Sequence, residues 1–156
     1  MIPSPVDFKN SASQNGYDKD KINFFLAVIQ DHPDFRFKVG KKFAFRPPRT
    51  IIVGPSEPFS ELLFLHEVSH ALCKHKSFKM DIDRLKMENE AWDKARELAK
   101  KYGLTMDEEM IQEELDTYRD WLHQKSRCPR CDLTRYQTPD GLYHCPRCEM
   151  LEQKRS

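Results

Sequence analysis

The sequence has no uninterrupted apolar stretch that approaches the roughly 20 residues needed to cross a bilayer. Its opening segment, MIPSPVDFKNSASQNGYDKDK, lacks the hydrophobic core of a secretion signal. These two absences predict a cytoplasmic protein with no membrane partner. An excess of one charge is missing too. Lys and Arg number 26 against 25 Asp and Glu, so the net charge is +1 and no global attraction to polyanions is expected. Five cysteines in a chain without a signal read as metal ligands with one to spare, not as disulfides. Hydrophobic residues make up 38% and charged residues 33%, which implies a modest core under a heavily charged surface. A length of 156 residues suits one domain with a small appendage.

What is present is concentrated in two places. The first is Leu65-His66-Glu67-Val68-Ser69-His70-Ala71-Leu72, an H-E-x-x-H sequence inside a run from Phe59 to Cys73 that holds neither Gly nor Pro. On a helix, residues four apart lie one above the other on one face. His66 and His70 can therefore offer two imidazole nitrogens to one cation. Zinc suits this pair, because it accepts neutral imidazole and lowers the pKa of bound water towards neutrality. Glu67 is then placed to act as general base on a water that attacks a peptide carbonyl.

Around this motif the pattern is readable in order. Residues 1–17 are rich in Pro, Ser and Asn and are expected to be a flexible N-terminus. Ile22, Phe25, Leu26 and Ile29 have helical spacing, with Asp18 or Asp20 as N-cap and His32-Pro33 as the stop. Phe35 to Arg46 alternates aromatic or aliphatic residues with basic ones on both sides of Gly40, which predicts a two-faced β-hairpin; the same alternation can also bind a nucleic-acid strand. Thr50 to Val53 reads as a short strand just before the metal helix, and so as a candidate to hold a substrate backbone by strand addition. Ser56 or Ser60 is the expected cap of the metal helix. A second long helix is expected over about 81–102, closed by Gly103, and a third over about 106–125, capped by Thr105 with Ile111, Leu115, Tyr118 and Leu122 inward. Residues 81–120 carry 13 acidic and 7 basic side chains, the composition of a solvated face.

A catalytic zinc needs a third protein ligand. Glu88 falls within the apolar stripe of Leu85, Trp92 and Ala95, where a carboxylate is costly without a cationic partner. Glu90 falls on the polar side. Glu88 is thus the expected ligand and Glu90 the alternative, with Asp81 and Asp83 further behind.

The HEVSHAL segment, followed by a helix bearing Glu88-Asn89-Glu90-Ala91-Trp92-Asp93-Lys94-Ala95, resembles the ImmA/IrrE-like metallopeptidases and the wider group of zincins with Glu as third ligand. The second element of that family reads roughly E-x-x-A, a polar residue, an aromatic and Ala. Carried over, its Glu is Glu88 and its small residues are Ala91 and Ala95; Trp92 and Lys94 depart from the pattern. A thermolysin-like reading of Asn89-Glu90-Ala91 would select Glu90, but the acidic residue it expects four positions later is Lys94. The resemblance covers about residues 50–100. It implies a small α+β zincin-like core over 18–125, with zinc bound and a protein or peptide as substrate. The helix followed by a cysteine cluster is also similar to SprT-like, DNA-associated proteases, whose third His would be His75; on a continuing helix His75 points away from the His66/His70 face.

The second concentration is Cys128-Pro129-Arg130-Cys131 and Cys145-Pro146-Arg147-Cys148, two C-x₂-C knuckles with thirteen residues between Cys131 and Cys145. They predict a four-cysteine structural zinc site, a zinc ribbon over 126–156, with the turn at Thr138 to Tyr143. The segment has too few large apolar groups to build a core without metal. His144 could compete with Cys145, and Cys73 reads as a buried small apolar residue. From Lys125 to Ser156 seven basic residues face four acidic ones, too small an excess to predict nucleic-acid binding by itself. The expected function is that of a zinc endopeptidase with two zinc ions, His66, His70 and Glu88 on the catalytic one, Glu67 as base, and Tyr118 or His123 as candidates to stabilise the oxyanion. The alternative is a non-catalytic regulator that binds nucleic acid.

Overall fold

Ser4 opens the described chain and caps its first helix. The computed structural model describes residues 4–155, and the chain is mixed α+β. In order it forms α1 (Pro5–Gln14), α2 (Lys19–Asp31), β1 (Arg36–Val39), β2 (Ala44–Arg46), β3 (Thr50–Val53), α3 (Ser60–Leu72), α4 (Asp81–Tyr102), α5 (Glu108–Ser126), β4 (Tyr136–Gln137), β5 (Tyr143–His144) and α6 (Pro146–Arg155). Helix α1 is an addition to the expected elements. Pro5 sits at its first position, and Ser4 and Asp7 satisfy each other's backbone N–H groups in a capping box. Composition alone suggested no element there, yet Phe8 and Ala12 are buried and give α1 an inner face.

The residues divide into two compact units, one of 1–76 with 90–106 and one of 77–89 with 107–156. The first unit is built on aromatic packing. Phe25 on α2 meets the rings of Phe8, Tyr17 and Phe64 at centroid distances of 6.4, 4.9 and 4.8 Å, all edge-on or nearly so. Asp18 caps α2 by accepting from the N–H of Lys21. Tyr17 donates from its hydroxyl to the carbonyl of Gly54 at 2.5 Å and ties the α1–α2 turn to the end of β3.

The sheet corrects the expected hairpin. Its strand order is β1-β3-β2: β1 runs parallel to β3, and β2 runs antiparallel to it. The alternation of aromatic and basic residues is that of two separate strands, not of two arms joined at Gly40. The loop after β1 packs against Gly54, where an added Cβ would lie 2.7 Å from the Phe43 nitrogen, so only glycine fits. Phe37, Ile51 and Phe45 form one row across the sheet. That row faces α3, since Phe37 meets Phe64 at 5.8 Å and Phe45 meets His70 at 6.0 Å. A second correction follows. β3 is hydrogen-bonded on both sides and has no open edge for a substrate strand, whereas β2 is an edge strand beside α3.

In the second unit Asp81, the first residue of α4, is buried and gathers three partners. Its carboxylate takes an ion pair from Lys125 of α5 at 3.0 Å and a hydrogen bond from the Tyr143 hydroxyl at 2.5 Å. Its N–H donates to Gln137 Oε1 at 2.7 Å. One residue thus joins helix α5 and both strands of the β4–β5 hairpin to the start of α4, its carboxylate to α5 and β5 and its N–H to β4. Burial works against its ionisation, but the hydrogen bonds from Tyr143 and Lys125 outweigh that and hold it below the usual carboxylate range. Arg84 lies over the rings of Phe78, Tyr118 and Trp121, 5.8, 5.1 and 5.0 Å from their centroids. Gly103, at φ +71°, follows α4 as expected. Asp107 caps α5 in place of Thr105, accepting from the Met110 N–H.

Candidate metal centres

Helix α3 carries the first centre. His66 and His70, only 6% and 7% exposed, are one turn apart on it, and their Nε2 atoms converge to 3.1 Å. Two nitrogens bonded to one zinc at the tetrahedral angle lie roughly 3.3 Å apart, so the pair has the spacing of ligands to a shared ion. Glu88 on α4 is 8% exposed, and one of its carboxylate oxygens and the two imidazole nitrogens all lie within 4.8 Å of one another. A carboxylate and two imidazoles meeting in a buried place is a donor set that a divalent cation fits. Glu67 is half-buried and directly follows His66. The expected cap of α3 does not form: Phe59 occupies that position in the left-handed region, and the Ser60 hydroxyl donates instead to the carbonyl of Glu57 at 2.6 Å.

Two rings hold the imidazoles in place. Trp92, fully buried on α4, stacks on His66 with centroids 4.1 Å apart and a tilt of 26°. Phe45 of β2 lies parallel to His70 within 6°. The Trp that departs from the family pattern is therefore a wall of the site.

Behind His70 is a chain of hydrogen bonds. Helix α3 stops at Leu72, and Lys74 adopts φ 56°, in the left-handed region. This reverses the chain, and the His75 N–H donates to the His70 carbonyl at 3.1 Å. His75 is buried, not turned away as an unbroken helix would have it. Its Nδ1 lies 2.8 Å from His70 Nδ1, and its Nε2 lies 2.8 Å from Glu90 Oε2. If His70 ligates through Nε2, its proton must be on Nδ1 and must be donated to His75 Nδ1. The His75 proton is then on Nε2 and goes to Glu90. Every donor and acceptor is matched with neutral imidazoles and an ionised carboxylate. Glu90 and His75, each a rival third ligand by sequence, thus both stand behind the ligand. The signal for this was a third His just past the helix end with a Glu on the next helix. It could be read only once the reversal at Lys74 was known.

The other acidic candidates are engaged elsewhere. Asp81 holds Lys125 and Tyr143, and Asp83 accepts from the Met80 N–H at 3.3 Å. Tyr118 lies under Arg84, and His123 is exposed on α5.

The second centre lies between the two knuckles. Cys128 and Cys148 sulfurs are 3.8 Å apart and those of Cys131 and Cys145 are 3.4 Å apart. All four fall within 4.8 Å of one another. Four thiolates around one zinc, with bonds of 2.3 Å, lie roughly 3.8 Å apart. The chain shapes this pocket locally: Asp132, at φ 66°, turns the first knuckle so that its N–H donates to the Cys128 carbonyl at 2.9 Å. N–H groups of Cys131 and Arg130 point at the Cys128 sulfur and pull its pKa down to about 6. Burial, and then the neighbouring sulfurs, push Cys148 up to about 12. Four such close sulfurs do not ionise together without a cation among them, which a divalent metal supplies. His144 is not in this cluster, since its Nδ1 lies 2.7 Å from Glu149 Oε1. Cys73, expected inside, is instead half-buried at the C-cap of α3.

Comparison of the chain with protein-family models, with curated proteins and with solved structures finds no match. No helix among the described residues is long and apolar enough to cross a membrane.

Proposed function

We propose that this protein is a zinc-dependent peptidase with a zincin-like core and a separate structural zinc site at its cysteine knuckles. The observation that carries the reading is the 3.1 Å approach of His66 Nε2 to His70 Nε2, with buried Glu88 within 4.8 Å and Glu67 next in sequence to His66. His66, His70 and Glu88 would hold the catalytic zinc, and Cys128, Cys131, Cys145 and Cys148 the structural one. A zinc ion in the first site supplies a Lewis acid that acidifies water and stabilises negative charge on the carbonyl oxygen. Glu67 accepts the proton of the attacking water and passes it to the leaving amine. Trp92 and Phe45 shut solvent away from the backs of the imidazoles, so that the charges act in a less polar medium. The free edge of β2 offers backbone groups to an extended substrate.

The test uses full-length protein loaded with zinc and an unstructured protein substrate. Cleavage that disappears in Glu67→Gln, with both metals still bound, supports the assignment. Cleavage that persists removes Glu67 as base, and no cleavage by the loaded wild type removes the peptidase reading.

A further inference from the structure

The segment from Phe35 to Ser56 holds Arg36, Lys38, Lys41, Lys42, Arg46 and Arg49 and not one acidic residue, in a chain whose net charge is only +1. The register places these cations. Residues opposite one another across strands share a face, and Phe37, Ile51 and Phe45 face α3. Lys38, Ile52 and Ala44 therefore share the opposite face, as do Arg36, Thr50 and Arg46. Of these, Lys38, Ala44, Arg46 and Ile52, with Lys41 and Lys42 of the loop, line a groove of about 760 Å³. All six cations are exposed, and none forms an ion pair among the described residues. The field here is of one sign.

We propose that this groove and the open edge of β2 together bind an extended acidic peptide. The proposal rests on the peptidase reading and names its substrate class. A strand added to β2 turns alternate side chains to opposite faces. One set points to the α3 side, where Phe45 and His70 lie. The other set points to Lys38, Lys42 and Arg46. Carboxylates at every second position thus meet the cations while the intervening residues face the metal site. The alternative occupant, a nucleic-acid strand, could meet the cations and stack on Phe45 at the groove's border, but it has no ladder of N–H and C=O groups to complete the open edge of β2, which an extended peptide has.

The experiment is fluorescence anisotropy with zinc-loaded, full-length Glu67→Gln protein, which keeps the peptide intact. The probe is a labelled ten-residue peptide of alternating Glu and Thr. Controls are the same peptide with Lys for Glu, one with its Glu residues in a block, one N-methylated along its backbone, and a single-stranded oligonucleotide. The alternating acidic peptide binds most tightly. Its affinity falls roughly tenfold in Lys42→Glu/Arg46→Glu, the size expected for two exposed ion pairs reversed to repulsions. Binding weakens with salt and with N-methylation. Equal binding of the Lys peptide, no loss in the double variant, or tighter binding of the oligonucleotide overturns the proposal. Two further outcomes separate it from the reading beneath it. Wild-type cleavage that ignores acidic residues keeps the peptidase and removes the groove. Acidic-peptide binding without wild-type cleavage keeps the groove and removes the peptidase.

Discussion

His75 stands between His70 and Glu90, 2.8 Å from each, with one ring nitrogen turned to either side. A ligating histidine is fixed in tautomer and orientation by the group that accepts its other proton. Here that group is a second imidazole, itself fixed by a carboxylate. His75→Ala should therefore weaken metal binding at the His66, His70 and Glu88 site by about 10- to 100-fold. Glu90→Gln should have a smaller effect in the same direction. Competition with a chelator of known affinity measures both. Unchanged affinity in His75→Ala would show the chain of bonds to be incidental.

Glu88 and Glu90 differ in what they touch. Glu88 is buried beside the imidazoles, while the Glu90 side chain is 65% exposed and reaches His75. Metal analysis of purified protein should give about two zinc ions per chain for wild type and Glu90→Ala, and about one for Glu88→Ala. A second ion retained in Glu88→Ala would remove that carboxylate from the site.

Trp92 stacks on His66, so it should report on the ion optically. The only other tryptophan is Trp121, which lies under Arg84 and Lys125. In Trp121→Phe protein, a zinc titration should change the remaining emission with one transition, and Glu88→Ala should abolish that change.

The Tyr102 hydroxyl donates to Asp31 Oδ2 at 2.6 Å and ties the ends of α2 and α4. This hydrogen bond, aided by Lys101, holds Asp31 below its ordinary value of 3.8. A depressed folded-state pKa gives stability that is complete above the unfolded-state value and is lost as pH falls through the folded one. Tyr102→Phe should therefore lower the urea midpoint at pH 7, and the gap from wild type should shrink below about pH 4. Tyr102 itself is raised, chiefly by burial and then by Asp31, so the same gap should also close at strongly alkaline pH. A gap independent of pH would mean that packing alone is lost.

Removal of metal should unfold the cysteine segment first. Few large apolar groups support β4, β5 and α6, and Leu133, Leu142 and Met150 are exposed. Cys145→Ser should remove one zinc per chain and the amide-exchange protection of the β4–β5 hairpin, with residues 60–72 still protected.

Much of the site was legible because it is local. The i, i+4 spacing of His66 and His70 and the two C-x₂-C pairs are contained within a few residues, and Glu88 betrayed itself as a carboxylate in an apolar stripe. Asp18, Gly103 and the Gly141 turn were also read correctly, as short-range backbone chemistry. Two of the failures have a plain physical cause. The strand partners of Phe35–Arg46 are chosen by a later segment, and alternation says nothing about which strand is neighbour to which. The direction of His75 depends on one left-handed residue, Lys74, whose side chain gives no warning of that conformation.

The interleaved sheet has a consequence for synthesis on the ribosome. β1 and β2 emerge first, yet each pairs only with β3. A nascent chain that ends at Arg46 has two strands and no ladder. The sheet becomes possible only when Val53 has emerged, and α3 starts seven residues later. The sheet face that packs on α3 and the two imidazoles set against it thus emerge almost together, whereas Glu88 follows eighteen residues after His70, so the three-residue group closes only when α4 has begun.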